Sequence, residues 1–600
     1  MIKANSYRVF LLLSFFAFGM FSWAVTPSFE AKLVDFHYRL FPDRFPVETS
    51  YSATISVPRN YTMGLQLAVR SLEASTYTIS FKDMKHSNGS RVDFEFAVRP
   101  LQQITCEGNT QGSMINEPGG SYPASWIPYF IRNAPFNLLE VVAPAVEGNS
   151  FITQANLTEG ALLQIKIPTS CTTGVYSGYV VISKSLTDKI ELPVSFKVHK
   201  AIVSRNDFLD CVHWMSAAPV DLRKNGSQVA WWSEEHWKLL ERAGTLLYED
   251  GNNMMYTPLV NEANPLIQAR WENNDFNFDY SRFDRWINLF SGIGFKYFSG
   301  FHLRYSTLNL SVLDVATGGK KSLGTLGVNI GCFQEKFLRD LDNHLRETGM
   351  HDRFVLHLYD EPSGTYIDEY KYYNNLMSKF MPGIKSIDAT NSNPALFSDY
   401  VGLQVYNLPG IVNNKNGTVK TRLEQGKPVW LYNTTSPFPP YPNRHIDRPL
   451  TENRLWPLLT LKYNCSGYLF WAVNTYRGVP DEYATSLGPL PDGTQKHAPG
   501  DAWFYYRSDQ GLNQSLRLMS FREGMVDVSL LKQLSKNNPT QVITQLNKLI
   551  LPEIEIGHTR PWSDYLIRAD EIPKGYITDF DAYHNNRKEV LDMLDLILPN

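Results

Sequence analysis

The chain has 600 residues, 13% of them aromatic and 20% charged, with a formal net charge of −3. That length exceeds what one hydrophobic core serves and calls for two or three domains. The near balance of charge offers no basic patch for nucleic acid and no polybasic face for a membrane surface, and the absence of low-complexity tracts and fixed-period repeats excludes a solenoid.

In chain order, Lys3 and Arg8 precede the apolar run Val9 to Phe21, followed by Ser22-Trp23-Ala24. A basic start, an apolar core and a small-x-small site make a secretory signal over residues 1–24. The mature chain is then expected to begin near Val25 and to be exported, periplasmic or secreted. The alternative, a retained anchor, is disfavoured because the run is short for a span; no second stretch is long and apolar enough to cross a bilayer.

Residues 25–200 show short alternating runs broken by Gly, Pro, Asn and Ser, such as Tyr77 to Lys82, Leu162 to Ile167, Gly178 to Lys184 and Ile190 to Val198. That spacing without helices predicts an antiparallel β-sandwich. Five cysteines, Cys106, Cys171, Cys211, Cys332 and Cys465, are scattered with no pair at metal-ligand spacing, so neither a metal site nor a cofactor is expected. Cys211 and Cys332 lie in apolar contexts and are expected as packed thiols, and a Cys106–Cys171 bridge is left open.

Over residues 201–540 the rhythm changes. Eight apolar runs alternate with helical segments: Phe208 to Trp214, Asn253 to Val260, Lys296 to His302, Phe354 to Tyr359, Ile384 to Thr390, Val401 to Asn407, Val429 to Asn433 and Gly467 to Asn474. Ser233 before Glu234 and Glu235 opens one helix, and Phe333, Phe337, Leu341 and Leu345 stripe another that ends at Gly349. Eight strand–helix units predict a (β/α)8 TIM-like barrel. Residues 541–600, with Val542 to Ile550 and Val590 to Leu598 of helical type, are a C-terminal helical extension packed on the barrel.

The most informative stretch is Tyr359-Asp360-Glu361-Pro362, which closes the fourth run. Adjacent carboxylates couple, so that one pKa is driven upward, and a carboxylic acid kept protonated near neutral pH is what cleavage of a glycosidic bond requires. The competing reading is a helix start, with Asp360 as cap and Glu361 in the first turn. Placement at the C-terminal end of a barrel strand favours catalysis.

Other strand ends supply sugar-binding types: His213 and Trp214 on strand one, Tyr256 on two, His302 on three, Asn391 after five, Tyr406 on six, Trp430 and Tyr432 on seven, and Trp471 on eight. Aromatic faces stack on sugars, and His, Asn and Tyr tips bond hydroxyls and amides. Because side chains alternate along a strand, about half of these should point into the barrel–helix interface instead. Strand seven, Val429-Trp430-Leu431-Tyr432-Asn433-Thr434-Thr435, lacks the nucleophilic carboxylate that many retaining barrels place there. Asp388 and Glu262 are the nearest substitutes. Without one, the carbonyl oxygen of a substrate 2-acetamido group can attack the anomeric carbon, with Asp360 holding the amide and Glu361 reaching the leaving oxygen.

The chain resembles glycoside hydrolase family 123, exported bacterial β-N-acetylgalactosaminidases. The resemblance rests on Tyr359-Asp360-Glu361-Pro362, on Gly467-Tyr468-Leu469-Phe470-Trp471-Ala472-Val473-Asn474, and on Gly500-Asp501 followed by Arg522-Glu523-Gly524-Met525-Val526-Asp527. It implies an exo-acting retaining enzyme for a glycan with a terminal β-linked 2-acetamido sugar, in which Asp360 orients the acetamido group and Glu361 is acid/base. Ala502 and Val528 depart from the family pattern. The competing readings are a glycosidase with a conventional nucleophile such as Asp388, and a non-catalytic carbohydrate-binding barrel.

Overall fold

The computed structural model describes residues 27–47, 54–111, 116–260, 264–307, 310–390, 394–414, 417–489, 496–551 and 575–599. The expected signal segment, Glu262 and Asn391 lie outside the described residues.

Two sheets form the N-terminal sandwich. One runs Phe29–Val34, Tyr61–Ser71, Thr158–Ile167, Phe96–Cys106, Phe136–Val142, and the other Ile55–Arg59, Lys189–Ile202, Gly174–Ser183, Ser75–His86, Ser150–Thr153. Period-two alternation sends Tyr77, Ile79, Tyr176, Val180 and Phe196 inward, with Tyr176 stacked on Phe196 at 5.5 Å, while Ser177, Tyr179 and Ser195 face out. The first sheet is completed from far downstream: Gly511–Ser515 pairs with Phe136–Val142, and Tyr506–Ser508 follows it.

The eight parallel barrel strands are Asp210–His213, Met254–Thr257, Tyr297–Gly300, Phe354–Leu356, Lys385–Ala389, Leu403–Asn407, Val429–Asn433 and Gly467–Phe470, called strands one to eight below. Strand eight pairs with strand one. Strands one and two carry no ladder but are tied by Asn253, whose N–H donates to Cys211 O at 3.2 Å and whose side-chain oxygen accepts from Cys211 N at 2.9 Å. The cylinder is therefore nearly closed. Its interior is filled by Val212, Met254, Val355, Ile387, Val405 and Trp430. Gly467 makes room for that filling, since a Cβ there would fall 2.2 Å from the Trp430 ring.

Helices cover the barrel as their apolar stripes require. Ser233 caps Glu234–Glu249 by accepting from His236 N, and Gly349 at φ 69° follows Ile330–Glu347. Helix Leu516–Ser535 is buried along nearly its whole length, and Pro539–Leu549 and Phe580–Ile597 pack around it. Arg454 and Arg587 both bond Asp527 at 2.6 Å, and Arg587 and Tyr61 both reach Glu523 at 2.7 Å. One buried ion cluster thus joins sandwich, barrel and terminal helix, and the late Arg522-to-Asp527 motif is a packing motif. No described helix is long and apolar enough to cross a membrane.

One open cysteine question is answered and one cysteine expectation is corrected. Cys106 and Cys171 are free thiols, each buried in a different cluster of the sandwich. Cys332 is exposed rather than packed, because it lies on the solvent side of a helix whose buried stripe is Phe333, Phe337, Leu341 and Leu345.

Candidate active site

Strand four sets the geometry. Its ladder stops at Leu356, short of the end of the apolar run: His357 N still donates to Gly300 O of strand three at 3.1 Å, and the two amides after it are taken by a side chain. The fully buried Asp388 carboxylate of strand five accepts from Leu358 N at 3.1 Å and Tyr359 N at 3.2 Å, and from the Tyr370 hydroxyl at 2.7 Å. Released from the pleat, the chain turns through Glu361 at φ 43°, a left-handed conformation unusual for a non-glycine residue and of the kind that collects at functional sites. The turn brings both carboxylates into one pocket, which a regular strand would forbid.

That pocket is a cavity of about 320 Å³ at the C-terminal mouth of the barrel. Strand one sends Trp214, strand three His302, strand four His357, Asp360 and Glu361, strand five Ala389, strand seven Tyr432 and Thr434, and strand eight Leu469 and Trp471; Arg477 and His497 complete it from the following loop. Beneath Ala389 and Leu469 the filled barrel interior makes a floor.

The electrostatics single out the pair. The Asp360 side chain is 55% accessible at the mouth, yet it sits in a concavity walled by protein. Desolvation, then the Glu361 charge, then Asp388 push its pKa up to about 7. The Tyr432 hydroxyl donates to Glu361 Oε1. His302 Nε2 stands 3.9 Å from Asp360 Oδ1. Burial holds His302 well below the usual imidazole range and pulls His357 down to about 3, so both rings are neutral. His357 Nε2 and Trp214 Nε1 are buried with no hydrogen-bond partner among the described residues, and buried polar atoms left open in a pocket are ready to meet a ligand. His302, His357 and Asp388 offer atoms within 4.8 Å of one another that could hold a metal ion, but Asp388 is already committed to the strand-four turn.

The far wall is a second network. Trp471 Nε1 donates to Asp501 Oδ2 at 3.2 Å, Thr435 Oγ1 donates to the same oxygen at 2.9 Å, and the His497 ring packs 4.7 Å from Trp471. Burial raises Asp501 to about 7 and lowers His497 to about 4. Asp501 stands behind the wall, outside the pocket lining.

Of the expected binding residues, Trp214, His302, Tyr432 and Trp471 line the pocket, and three others do not. His213 points outward from strand one into the helix layer, bonded to Asn252 at 2.8 Å and Arg444 at 2.6 Å. Tyr406 also faces outward, donating to Gln404 at 2.8 Å. Trp430 faces inward but one layer too deep, in the floor. Tyr256 is intermediate: it stacks on Trp214 at 4.5 Å and supports that ring from behind. His357, Arg477 and His497 were missed. Only His357 left a signal, a polar residue inside an apolar strand run.

Residues 223–534, more than half the chain, match the family model described as "Glycoside hydrolase 123, catalytic domain". Among solved structures, the chain is similar to a family 123 glycoside hydrolase from Clostridium perfringens, described for glycolipid glycan hydrolysis, with a TM-score of 0.72 and 15% identity over 95% of this chain and 99% of that one. A GH5 xyloglucanase from Bacteroides ovatus matches with a TM-score of 0.31 and 9% identity over 78% of this chain and 98% of that one. No curated protein sequence matches.

Proposed function

The chain belongs to the glycoside hydrolase 123 family and is a glycoside hydrolase, and on that premise we propose that it is an exported, exo-acting, retaining β-N-acetylgalactosaminidase that draws its nucleophile from the substrate. The observation that carries this reading is the adjacency of Asp360 and Glu361 in one floored pocket. A conventional retaining pair needs its second carboxylate about 5 Å away across the sugar. The two nearby candidates, Asp388 and Asp501, are both buried and hydrogen-bonded behind the lining.

In the proposed reaction the Asp360 anion accepts the acetamido N–H and steadies the positive charge that develops as the amide oxygen closes on the anomeric carbon. Glu361, positioned by Tyr432, delivers its proton to the leaving oxygen and then takes one from the water that opens the oxazolinium ring. The amide oxygen attacks from the face opposite the leaving group and water then enters from the face the leaving group vacated, so two inversions leave the anomer retained. Trp214 and Trp471 wall the sugar, and neutral His302 and His357 accept from its hydroxyls.

Three 4-nitrophenyl substrates, β-GalNAc, β-GlcNAc and β-Gal, test the reading side by side, with the product anomer followed by NMR. Cleavage of the acetamido sugars with retention, GalNAc foremost, is expected. Cleavage of the β-galactoside at a comparable rate would show that the acetamido group is not the nucleophile, and inertness toward all three would favour a binding protein.

A further inference from the structure

Arg477 lines the same pocket as Asp360 and Glu361, yet no step of the proposed cleavage uses a cation. It lies on the loop after strand eight, and both it and the next residue turn through left-handed backbone, Arg477 at φ 46° and Gly478 at φ 81°. Such a conformation persists in an L residue only where the surroundings impose it. The side chain is held as firmly. Nη1 donates to the Pro489 carbonyl at 3.1 Å and to His497 Nε2 at 3.1 Å, and the guanidinium lies 5.2 Å from the centre of the Trp471 ring. Since arginine only donates, His497 Nε2 accepts and its proton sits on Nδ1, which faces Thr435 Oγ1 at 3.2 Å and Asp501 Oδ2 at 3.5 Å.

What is missing is a direct ion pair: Arg477 feels the charge of Asp501, but only from beyond contact. Among the described residues no carboxylate lies within ion-pair distance of the Arg477 guanidinium, and its Nε and Nη2 make no hydrogen bond. Arginines that brace this part of the fold behave otherwise: Arg507 closes on Glu482 at 2.6 Å and Arg517 on Glu140 at 2.9 Å. Nε and Nη2 share one edge of the planar fork, the edge that meets a carboxylate or sulfate through two parallel hydrogen bonds.

We propose that this edge of Arg477 receives an oxyanion carried by the substrate, a sulfate ester on the terminal acetamido sugar or the carboxylate of an adjoining acidic sugar. The proposal rests on the glycosidase reading of the pocket and narrows its substrate class to acidic glycans. It also gives the pocket polarity, because Asp360 and Glu361 repel an oxyanion from the catalytic end and Arg477 draws it to the other.

The test compares kcat/KM on 4-nitrophenyl β-GalNAc with that on its 4-O- and 6-O-sulfates. A second arm compares release of GalNAc from glucuronic acid with release from glucose, separating the two sources of the anion. One acidic member should exceed its neutral counterpart by about tenfold or more, the worth of a charge-assisted bond. Arg477→Gln should bring that ratio to about one, and Arg477→Lys should restore part of it. A wild-type ratio at or below one in both arms, or a ratio that survives Arg477→Gln, overturns the proposal and leaves the glycosidase reading standing. If no member is cleaved, that reading fails instead. Calorimetry with free GalNAc, its two sulfates and glucuronate then decides: tighter binding of an anionic sugar, lost in Arg477→Gln, sustains the proposal, and equal binding ends it.

Discussion

The pH dependence of cleavage is where the strand-four pair makes its sharpest claim. Asp360 titrates near 7, raised by desolvation and by the Glu361 and Asp388 charges. Two carboxyl groups in such contact share protons as a unit, and the upper step near 7 is loss of the one shared proton. The free pair keeps that proton on Asp360. When an acetamido N–H docks against Asp360, the anion is favoured there and the proton is available to Glu361. A substrate with a poor leaving group needs this singly protonated pair, so kcat/KM should fall as pH rises through about 7. Two units above the step about one molecule in a hundred retains the proton, so the loss by pH 9 should be roughly 100-fold. A substrate with an activated leaving group needs only the Asp360 anion, so its kcat/KM should hold or rise over the same range. The assay is kcat/KM from pH 5 to 9 on an alkyl and a 2,4-dinitrophenyl β-GalNAc glycoside, with protein stability checked at each pH. In Glu361→Gln the Asp360 step in the dinitrophenyl profile should move below 7, because one of the charges that raises Asp360 is gone. Superimposable profiles for the two leaving groups would refute the division of roles, and so would an alkyl profile that stays flat to pH 9.

Other consequences can be checked separately. Glu361→Gln should slow the alkyl glycoside by about 100- to 10,000-fold while sparing the first step on the dinitrophenyl glycoside far more; equal losses would remove Glu361 from the acid/base role. A GalNAc-thiazoline, which copies the bicyclic intermediate, should inhibit at least about 100-fold more tightly than free GalNAc, and steady-state inhibition giving similar constants would speak for an enzymic nucleophile. Gly524→Ala should destabilise the fold by about 3 kcal/mol, because its Cβ would meet the Arg454 carbonyl of helix Thr451–Lys462 at 2.2 Å; an unshifted denaturant midpoint would mean that this helix and Leu516–Ser535 can separate freely.

Much of this architecture was legible because each barrel strand is an apolar run bounded by polar residues, and all eight runs contain an observed strand. The runs overshoot where a side chain takes over from the ladder, as Asp388 does beyond Leu356. The site was harder to read because the pattern along a strand says which residues share a face and not how deep each one sits. Trp430 and Tyr432 share the inward face of strand seven, and only the second reaches the pocket. His213 and Tyr406 face outward, and nothing in their local sequence distinguishes them from inward neighbours. Arg477 and His497 lie on a loop with no periodicity at all. Asp360 and Glu361 were readable because two charges at the end of a buried run demand an explanation.

That last loop also changes what the sandwich is for. Among its described residues the segment carrying Arg477, His497 and Asp501 has almost no ladder of its own within the barrel, so its order must come from elsewhere. The sandwich supplies it. Glu107, one residue past a sandwich strand, accepts from Ser486 N at 2.8 Å and Ser486 Oγ at 2.7 Å, as well as from the Thr485 hydroxyl. Thr105 N donates to Tyr483 O and Asn116 N to Lys496 O, each at 2.9 Å. The neighbouring Thr110 hydroxyl meets Asp447 Oδ1 at 3.0 Å and His445 Nδ1 at 2.8 Å, fixing the loop after strand seven. A wall that must hold Trp471 and a charged arginine at fixed positions cannot rest on a loose loop, because misplacement by about 1 Å can cost about 100-fold in rate. The N-terminal sandwich is therefore part of the active site's construction, acting through the loops after strands seven and eight while none of its described residues lines the pocket.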